Sequence, residues 1–211
     1  MTLRAELVAL VAERDAELRA MYDALADRLA TGVAEAGPRS GDMMPDFVLP
    51  GSDGELVFSD DLLAAGPLVV VFFRGDWCPF CTATLVALNE IAPEVIGAGA
   101  GLVAISPDIG DYQREACLKL GLRFPVLSDI DQAIGLRFGT TYVVPEPLRA
   151  VWSSAGIDLE ARHGDGGEMQ PMPATFIADR SGVLRFAHVS GDVTDRVEPA
   201  DIVRLVREMA R

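Results

Sequence analysis

Phe73-Arg74-Gly75-Asp76-Trp77-Cys78-Pro79-Phe80-Cys81 is the stretch around which the rest of the chain must be arranged. Leading into it, Leu68 to Phe73 is an unbroken apolar run rich in valine and phenylalanine, the pattern of a strand buried on both faces of a parallel sheet. Beyond it, from Thr82 onward, Leu85, Leu88, Ile91 and Val95 recur every three or four residues, which predicts a helix. The two cysteines therefore fall at a strand-to-helix junction, in the first turn of the helix. Unpaired amide N–H groups and the positive end of the helix dipole favour an anion there, and a thiolate is the anion that attacks disulfides and peroxides. Cysteines three apart can also close on each other, so that one attacks and the other resolves the product as a disulfide.

Moving outward, the strand Leu102 to Ile105 completes a strand-helix-strand crossover of the length a parallel pairing requires, with Pro93 expected to kink or end the intervening helix. A helix over 111–120 closed by Gly121, a short edge strand Phe124 to Leu127 marked by Pro125, and helices over 130–137 and 146–155 follow. Ala174 to Ala178 and Val183 to Val189 form a hairpin around Asp179-Arg180-Ser181-Gly182, and a last helix covers 199–210. Upstream, Phe47 to Leu49 and Leu56 to Phe58 read as a short hairpin, followed by a helical turn over 59–65. Residues 2 to about 34 read as one amphipathic helix with Leu3, Leu7, Leu10, Leu18, Met21, Leu25 and Leu29 on a stripe that packs on the domain or pairs two copies in a homodimer. The chain thus divides into an N-terminal helix, residues 1–37, and one α/β domain, residues 38–211.

The 211 residues suffice for one substantial core. A formal charge of −14 repels phosphate backbones and anionic lipids, which speaks against nucleic-acid and membrane-surface roles. No uninterrupted apolar run approaches a membrane span and the N-terminus is rich in charge, so the expected location is cytoplasmic. In a reducing compartment, three cysteines are expected to be catalytic or metal-binding rather than a disulfide framework.

Strand, CxxC helix, parallel strand, helix and closing antiparallel hairpin is the order of a thioredoxin-like fold. Trp77-Cys78-Pro79-Phe80-Cys81 resembles the thioredoxin-type active-site turn, and Phe73-Arg74-Gly75 resembles the peroxiredoxin-like branch of the alkyl hydroperoxide reductase and thiol-specific antioxidant family. Asp42 to Leu49, Ala104 to Asp108, Gly121 to Asp129 and Pro173 to Asp179 are similar, in order, to that family's opening, second strand, "GL-x-FP-x-LSD" segment and "P-A-T-F-x-x-D" strand. The resemblance covers roughly residues 41–190. It implies a thioredoxin-like mixed sheet flanked by helices, and a thiol-dependent antioxidant oxidoreductase that needs neither metal nor organic cofactor. Its implied partners are a peroxide or disulfide substrate and an electron donor, either a thioredoxin-type protein or a low-molecular-weight thiol.

Laid on the family's P-x-x-x-T-x-x-C pattern, Cys81 is the attacking cysteine, Cys78 stands at the threonine and Arg74 at the proline. The family's peroxide-binding arginine before the "TF" strand is replaced by Pro173, which matches the cis-proline that faces the active site of thioredoxins. Two enzyme readings stay open: Cys81 attacks a peroxide and Cys78 resolves it, or Cys78, taken as the more exposed, attacks a disulfide and Cys81 resolves it. A third reading is a redox sensor without turnover. Trp77 is expected to pack over the turn. Arg74 lowers a thiolate pKa if it points inward, although an arginine after a strand is usually solvated, and Asp76 acts in the opposite sense if close. Half of a zinc site is the other reading of the CxxC, but only Cys117, His163 and His188 remain as ligands and they lack paired spacing. Cys117 reads as a small buried residue with resolving as its alternative role, His188 as a sheet residue, and His163 as a loop residue without a partner. The segment 142–171 is long for a connection, and either covers the active site or packs as an ordinary insertion.

Overall fold

The computed structural model describes residues 1–30, 37–164 and 167–209. A five-stranded mixed sheet runs through its centre in the order β5 (Val126–Ser128), β4 (Gly101–Ser106), β3 (Leu68–Phe72), β8 (Ala174–Ala178), β9 (Leu184–Val189). β3 lies parallel to β4 and antiparallel to β8, with Val71 opposite both Ala104 and Thr175. Because successive side chains of a strand point to opposite faces, Val69 and Val71, followed by Phe73, enter one core while Leu68, Val70 and Phe72 enter the other. The continuous apolar run is the consequence of burial on both faces. β5 is an edge strand, and Pro125, immediately before it, contributes only its carbonyl, to Ala104 N at 3.0 Å.

On the first face lies α4 (Pro79–Gly97), whose Leu85, Leu88, Ala92 and Val95 are buried, with α9 (Pro199–Met209) beside it; residue 210, the expected end of α9, lies outside the described residues. Pro93 does not stop α4. It sits on the exposed face, where water can satisfy the carbonyl left without a donor, while Ala92 and Val95 stay anchored in the core. By length and mean hydropathy α4 is one helix that meets the requirement for a membrane span, and here it serves as the core helix of the sheet. α5 (Gly110–Leu120) ends on Gly121 in the left-handed region, φ 58° and ψ 41°, as the sequence predicts.

The expected single N-terminal helix is two, α1 (Leu3–Ala12) and α2 (Ala16–Ala30), and its expected end at 31–34 lies outside the described residues. The break is at Asp15, whose Oδ1 accepts from Leu18 N at 2.8 Å and begins a new helix. It divides the stripe between two destinations. Leu3 and Leu7 pack on α4, with the Leu3 and Arg4 amides held by the Glu198 carboxylate at 3.1 and 2.9 Å, while Leu18, Met21, Leu25 and Leu29 cross to the 142–171 segment.

That segment is structured. β6 (Thr141–Val143) pairs antiparallel with β7 (Met169–Pro171) as a ribbon apart from the main sheet, framing α7 (Glu146–Ser154) and α8 (Leu159–His163). His163, expected in a loop, instead closes α8 together with Arg162, and both are buried; residues 165–166 lie outside the described residues. The smaller elements are β1 (Val48–Pro50), β2 (Leu56–Phe58), α3 (Ser59–Ala65) and α6 (Ala133–Arg137), the last beginning three residues later than expected because Gln132 takes a left-handed conformation.

Candidate active site

β3 ends beneath the active-site turn and α4 begins on it. Cys78 occupies the N-cap of α4 with extended geometry, Pro79 opens the first turn where its missing N–H costs nothing, and Cys81 lies one turn in. Gly75 is required at its position: φ is 149°, and a Cβ would come within 2.6 Å of Trp77 and Asp108. The turn is tied by Cys78 N to Gly75 O at 3.3 Å, and by the Thr82 hydroxyl donating to Asp76 O at 3.0 Å.

Both cysteines are reduced and 1% exposed, so the expectation that Cys78 is the more exposed is overturned. Arg74 is not solvated but sealed beneath the turn, where Nη2 donates to Cys78 Sγ at 3.1 Å. Its guanidinium lies 5.7 Å from the Trp77 ring centroid and 5.4 Å from that of Trp152, and it also meets the Tyr142 hydroxyl. Pro173 is buried, but its peptide bond is trans, as are all those described, so the match to a cis-proline does not hold.

The two thiols share one negative charge unequally. Burial alone would raise both. For Cys81, the hydrogen bond from the Cys78 thiol, the Arg196 and Arg74 guanidiniums and the Arg74 backbone N–H overcome burial and hold it well below the usual thiol range. Cys78 is pushed well above that range, by burial first and then by donating its proton to Cys81, with Arg74 opposing. Arg74 touches the Cys78 sulfur and so pulls the other way, yet the net directions are down for Cys81 and up for Cys78.

Asp76 does not work against the thiolate. Its carboxylate is paired with Arg162 and, at 3.5 Å, with Lys119. Arg162 also approaches the buried Asp108 at 3.6 Å, and His163 completes the cluster with Nε2 3.3 Å from Asp108 and Nδ1 3.2 Å from Gln170. The loop histidine expected to lack a partner is thus part of a buried network joining the 142–171 segment to the active-site turn. Burial pushes the Asp108 carboxyl up, against the nearby His163 and Arg162. Cys117 is half-buried on α5 against the α4 core, its thiol pushed up by burial. His188 lies on β9 opposite Thr175, with Nε2 3.5 Å from Asp195.

The 142–171 segment packs against the active-site turn. Trp152 packs on Trp77 with ring centroids 4.9 Å apart, over Leu148, Tyr142 and Met172 and against Leu25 of α2, and Tyr22 stands edge-on to Phe80. Sequence reasoning did not single out Trp152, Tyr22, Tyr142 or Arg196; each is far along the chain from the cysteines and none sits in a spacing pattern that marks it. Because Trp152 packs on Trp77 and Arg74 at the active-site turn, Trp152→Ala is expected to raise the rate at which a disulfide reagent labels Cys78 in the folded protein by about tenfold or more. Trp152→Phe, which keeps the packing, is expected to stay near wild type; equal labelling of all three proteins would show that access lies elsewhere.

The sequence pattern of the AhpC/TSA family matches residues 40–187, which contain the active-site turn and the strands from β1 into β9. The chain belongs to the AhpC/TSA family. A family relative from Coxiella burnetii that carries the peroxiredoxin name bcp is 26% identical over 56% of this chain and 90% of its own. The thiol-disulfide oxidoreductase ResA of Bacillus anthracis is 32% identical over 59% of this chain and 70% of its own. Among solved structures, peroxidoxin BcpB from Mycobacterium tuberculosis superposes with a TM-score of 0.63 at 22% identity, covering 81% of this chain and 97% of that one. The fold is therefore the thioredoxin-like fold of this family, with α1, α2 and α9 lying outside the matched segment.

Proposed function

We propose that this AhpC/TSA protein is a thiol-dependent peroxidase in which Cys81 attacks and Cys78 resolves. The observation that carries the reading is the placement of the pair: Cys81 lies one turn into α4, at the position of the family's attacking cysteine, with Cys78 beside it on the N-cap, and burial and neighbouring groups hold the Cys81 thiol low and the Cys78 thiol high. The Cys81 thiolate forms an S–O bond to the terminal oxygen of a hydroperoxide as the O–O bond breaks. The departing alkoxide takes the Cys78 proton and leaves as an alcohol. The Cys78 thiolate so formed displaces hydroxide from the Cys81 sulfenic acid, giving a disulfide and, after protonation, water. Two equivalents of a thiol, from a thioredoxin-type protein or a low-molecular-weight thiol, restore the dithiol. A reducing compartment such as the cytoplasm suits a site that must begin each cycle as a dithiol.

The test is to add one equivalent of cumene hydroperoxide to the reduced protein and map its disulfides by mass spectrometry. A Cys78–Cys81 link formed together with one equivalent of alcohol is the expected result. A Cys81–Cys117 link would reassign the resolving role. An unoxidised protein that nevertheless turns over a small disulfide substrate would support the exchange reaction for which ResA is named.

The reaction should also depend on pH in a definite sense. With the Cys81 thiol held below its ordinary range, the peroxide rate is expected to be level through neutral pH and to fall as pH drops through the depressed value. A rate that instead rises steadily from pH 7 toward about 8.5, the free-thiol value, would show that Cys81 is not activated.

A further inference from the structure

Among the described residues, Arg74 is the largest side chain that is fully buried, and a guanidinium stays charged in any folded protein. A cation so enclosed requires an anion. Its acceptor is Cys78 Sγ, 3.1 Å from Nη2, while Nε is sealed from solvent and has no acceptor. The rings of Trp77 and Trp152 flank the guanidinium, with centroids at 5.7 and 5.4 Å, and they attract a cation without neutralising it.

No carboxylate supplies the missing charge. Asp76, the nearest acid in the chain, is paired with Arg162 and Lys119, and among the described residues no acid forms an ion pair with Arg74. The groups that bear most on its charge are Cys78, Tyr142, Cys81 and Tyr22. Burial pushes both tyrosines above their ordinary range, so they keep their protons at neutral pH. The negative charge facing Arg74 therefore comes from the dithiol, and only while the dithiol is reduced. A disulfide carries none.

We propose that Arg74 sets the redox potential of the Cys78–Cys81 pair, favouring the dithiol and making the disulfide one that a low-molecular-weight monothiol opens. Closing the disulfide leaves an enclosed guanidinium without an anion, and opening it removes that cost. In the opening, the thiolate of the donor bonds to one sulfur of the pair as the S–S bond breaks. The electron pair stays on the other sulfur, which restores an anion beside the guanidinium. A second donor thiolate attacks the mixed disulfide and releases the remaining cysteine sulfur together with the oxidised donor, and the pair takes up one proton and keeps one negative charge. This role rests on the dithiol-disulfide cycle of the proposed function but not on the identity of the oxidant.

The test equilibrates the full chain, with Cys117→Ser as the background, in mixtures of reduced and oxidised glutathione, and measures the dithiol fraction by alkylation and mass spectrometry. Oxidised glutathione forms the disulfide, so no peroxide is needed. Arg74→Met and Arg74→Gln, which remove the charge, are expected to make the disulfide about tenfold or more harder to reduce, a shift of about 30 mV, while Arg74→Lys stays closer to the parent. In the parent itself, oxidation is expected to lower the urea midpoint, the reverse of the usual effect of a disulfide. An unmoved equilibrium in Met and Gln variants that retain the wild-type fold by near-UV circular dichroism overturns the proposal. If neither variant folds, a parent whose disulfide form is the more stable overturns it equally, and so does a parent disulfide that only a dithiol reductant opens. A protein that reduces no peroxide but shows these shifts refutes the peroxidase reading and leaves the role of Arg74 standing.

Discussion

Cys81→Ser is expected to lower the second-order rate of peroxide consumption by about a thousandfold or more, the largest effect of any single substitution in this chain. A serine hydroxyl is not ionised at neutral pH, so the donors gathered around position 81 would have no anion to stabilise. Cys78→Ser is expected to behave differently. It retains the nucleophile and one round of peroxide cleavage, loses the intramolecular disulfide and stalls as a sulfenic acid that a dimedone reagent can trap. Stopped-flow tryptophan fluorescence separates the two, since Trp77 lies beside the cysteine turn and Trp152 packs on it. Rapid peroxide cleavage by Cys81→Ser together with an inert Cys78→Ser would reverse the two roles and place the attacking charge on the sulfur that Arg74 contacts.

The second large effect concerns stability. Arg162 is 10% exposed and serves both Asp76 and Asp108, the latter almost fully enclosed, so Arg162→Met strips a cation from two carboxylates at once. Removing one member of a buried ionic cluster typically costs about 3–5 kcal/mol, and because Lys119 and His163 still face the two acids the lower end, about 3 kcal/mol, is expected. The cost depends on pH. Asp108 titrates above the ordinary carboxylate range in the fold, because burial outweighs its cationic partners. A carboxyl with a raised folded pKa stabilises the fold below its unfolded pKa, and that contribution is lost as pH rises through the folded value. Without Arg162 the folded value rises further, so the deficit of the variant should be larger at pH 7.5 than at pH 5. Urea unfolding of both proteins at the two pH values measures this; equal deficits would mean that Asp108 takes no part. The same substitution frees α8 from the active-site turn, so labelling of Cys78 should quicken in parallel.

The elements nearest the cysteines were legible because their signals are local. A strand buried on both faces can only be a run such as Leu68 to Phe72, and a helix packed on a sheet must show a spacing such as that of Leu85, Leu88 and Val95; Ile91, expected on the same face, is half-buried at its margin, and Ala92 is buried in its place. The left-handed Gly121 and the Asp179 to Gly182 turn are likewise written in residue types that their backbone angles demand. Pro93 misled as a helix end because a proline can be carried within a helix where its missing N–H faces solvent, and the exposure of that helix face is a tertiary fact. The N-terminal stripe misled because Leu10 and Leu18 have compatible spacing whether one helix continues or two helices diverge. The Asp15 cap and the two separate cores decided between them.

What the amino-acid order determined by itself is the sheet with its CxxC junction, the family and the pair of sulfurs, since each depends on residues close in sequence or on ordered motifs. What only the tertiary structure decided is how that pair is charged and covered. Arg74 turned inward, His163 found Asp108, and Trp152 came across from the 142–171 segment. Each is an interaction between groups distant in sequence, whose strength depends on how far folding removes them from water. A string of residues does not state that exclusion, and only the packed chain imposes it.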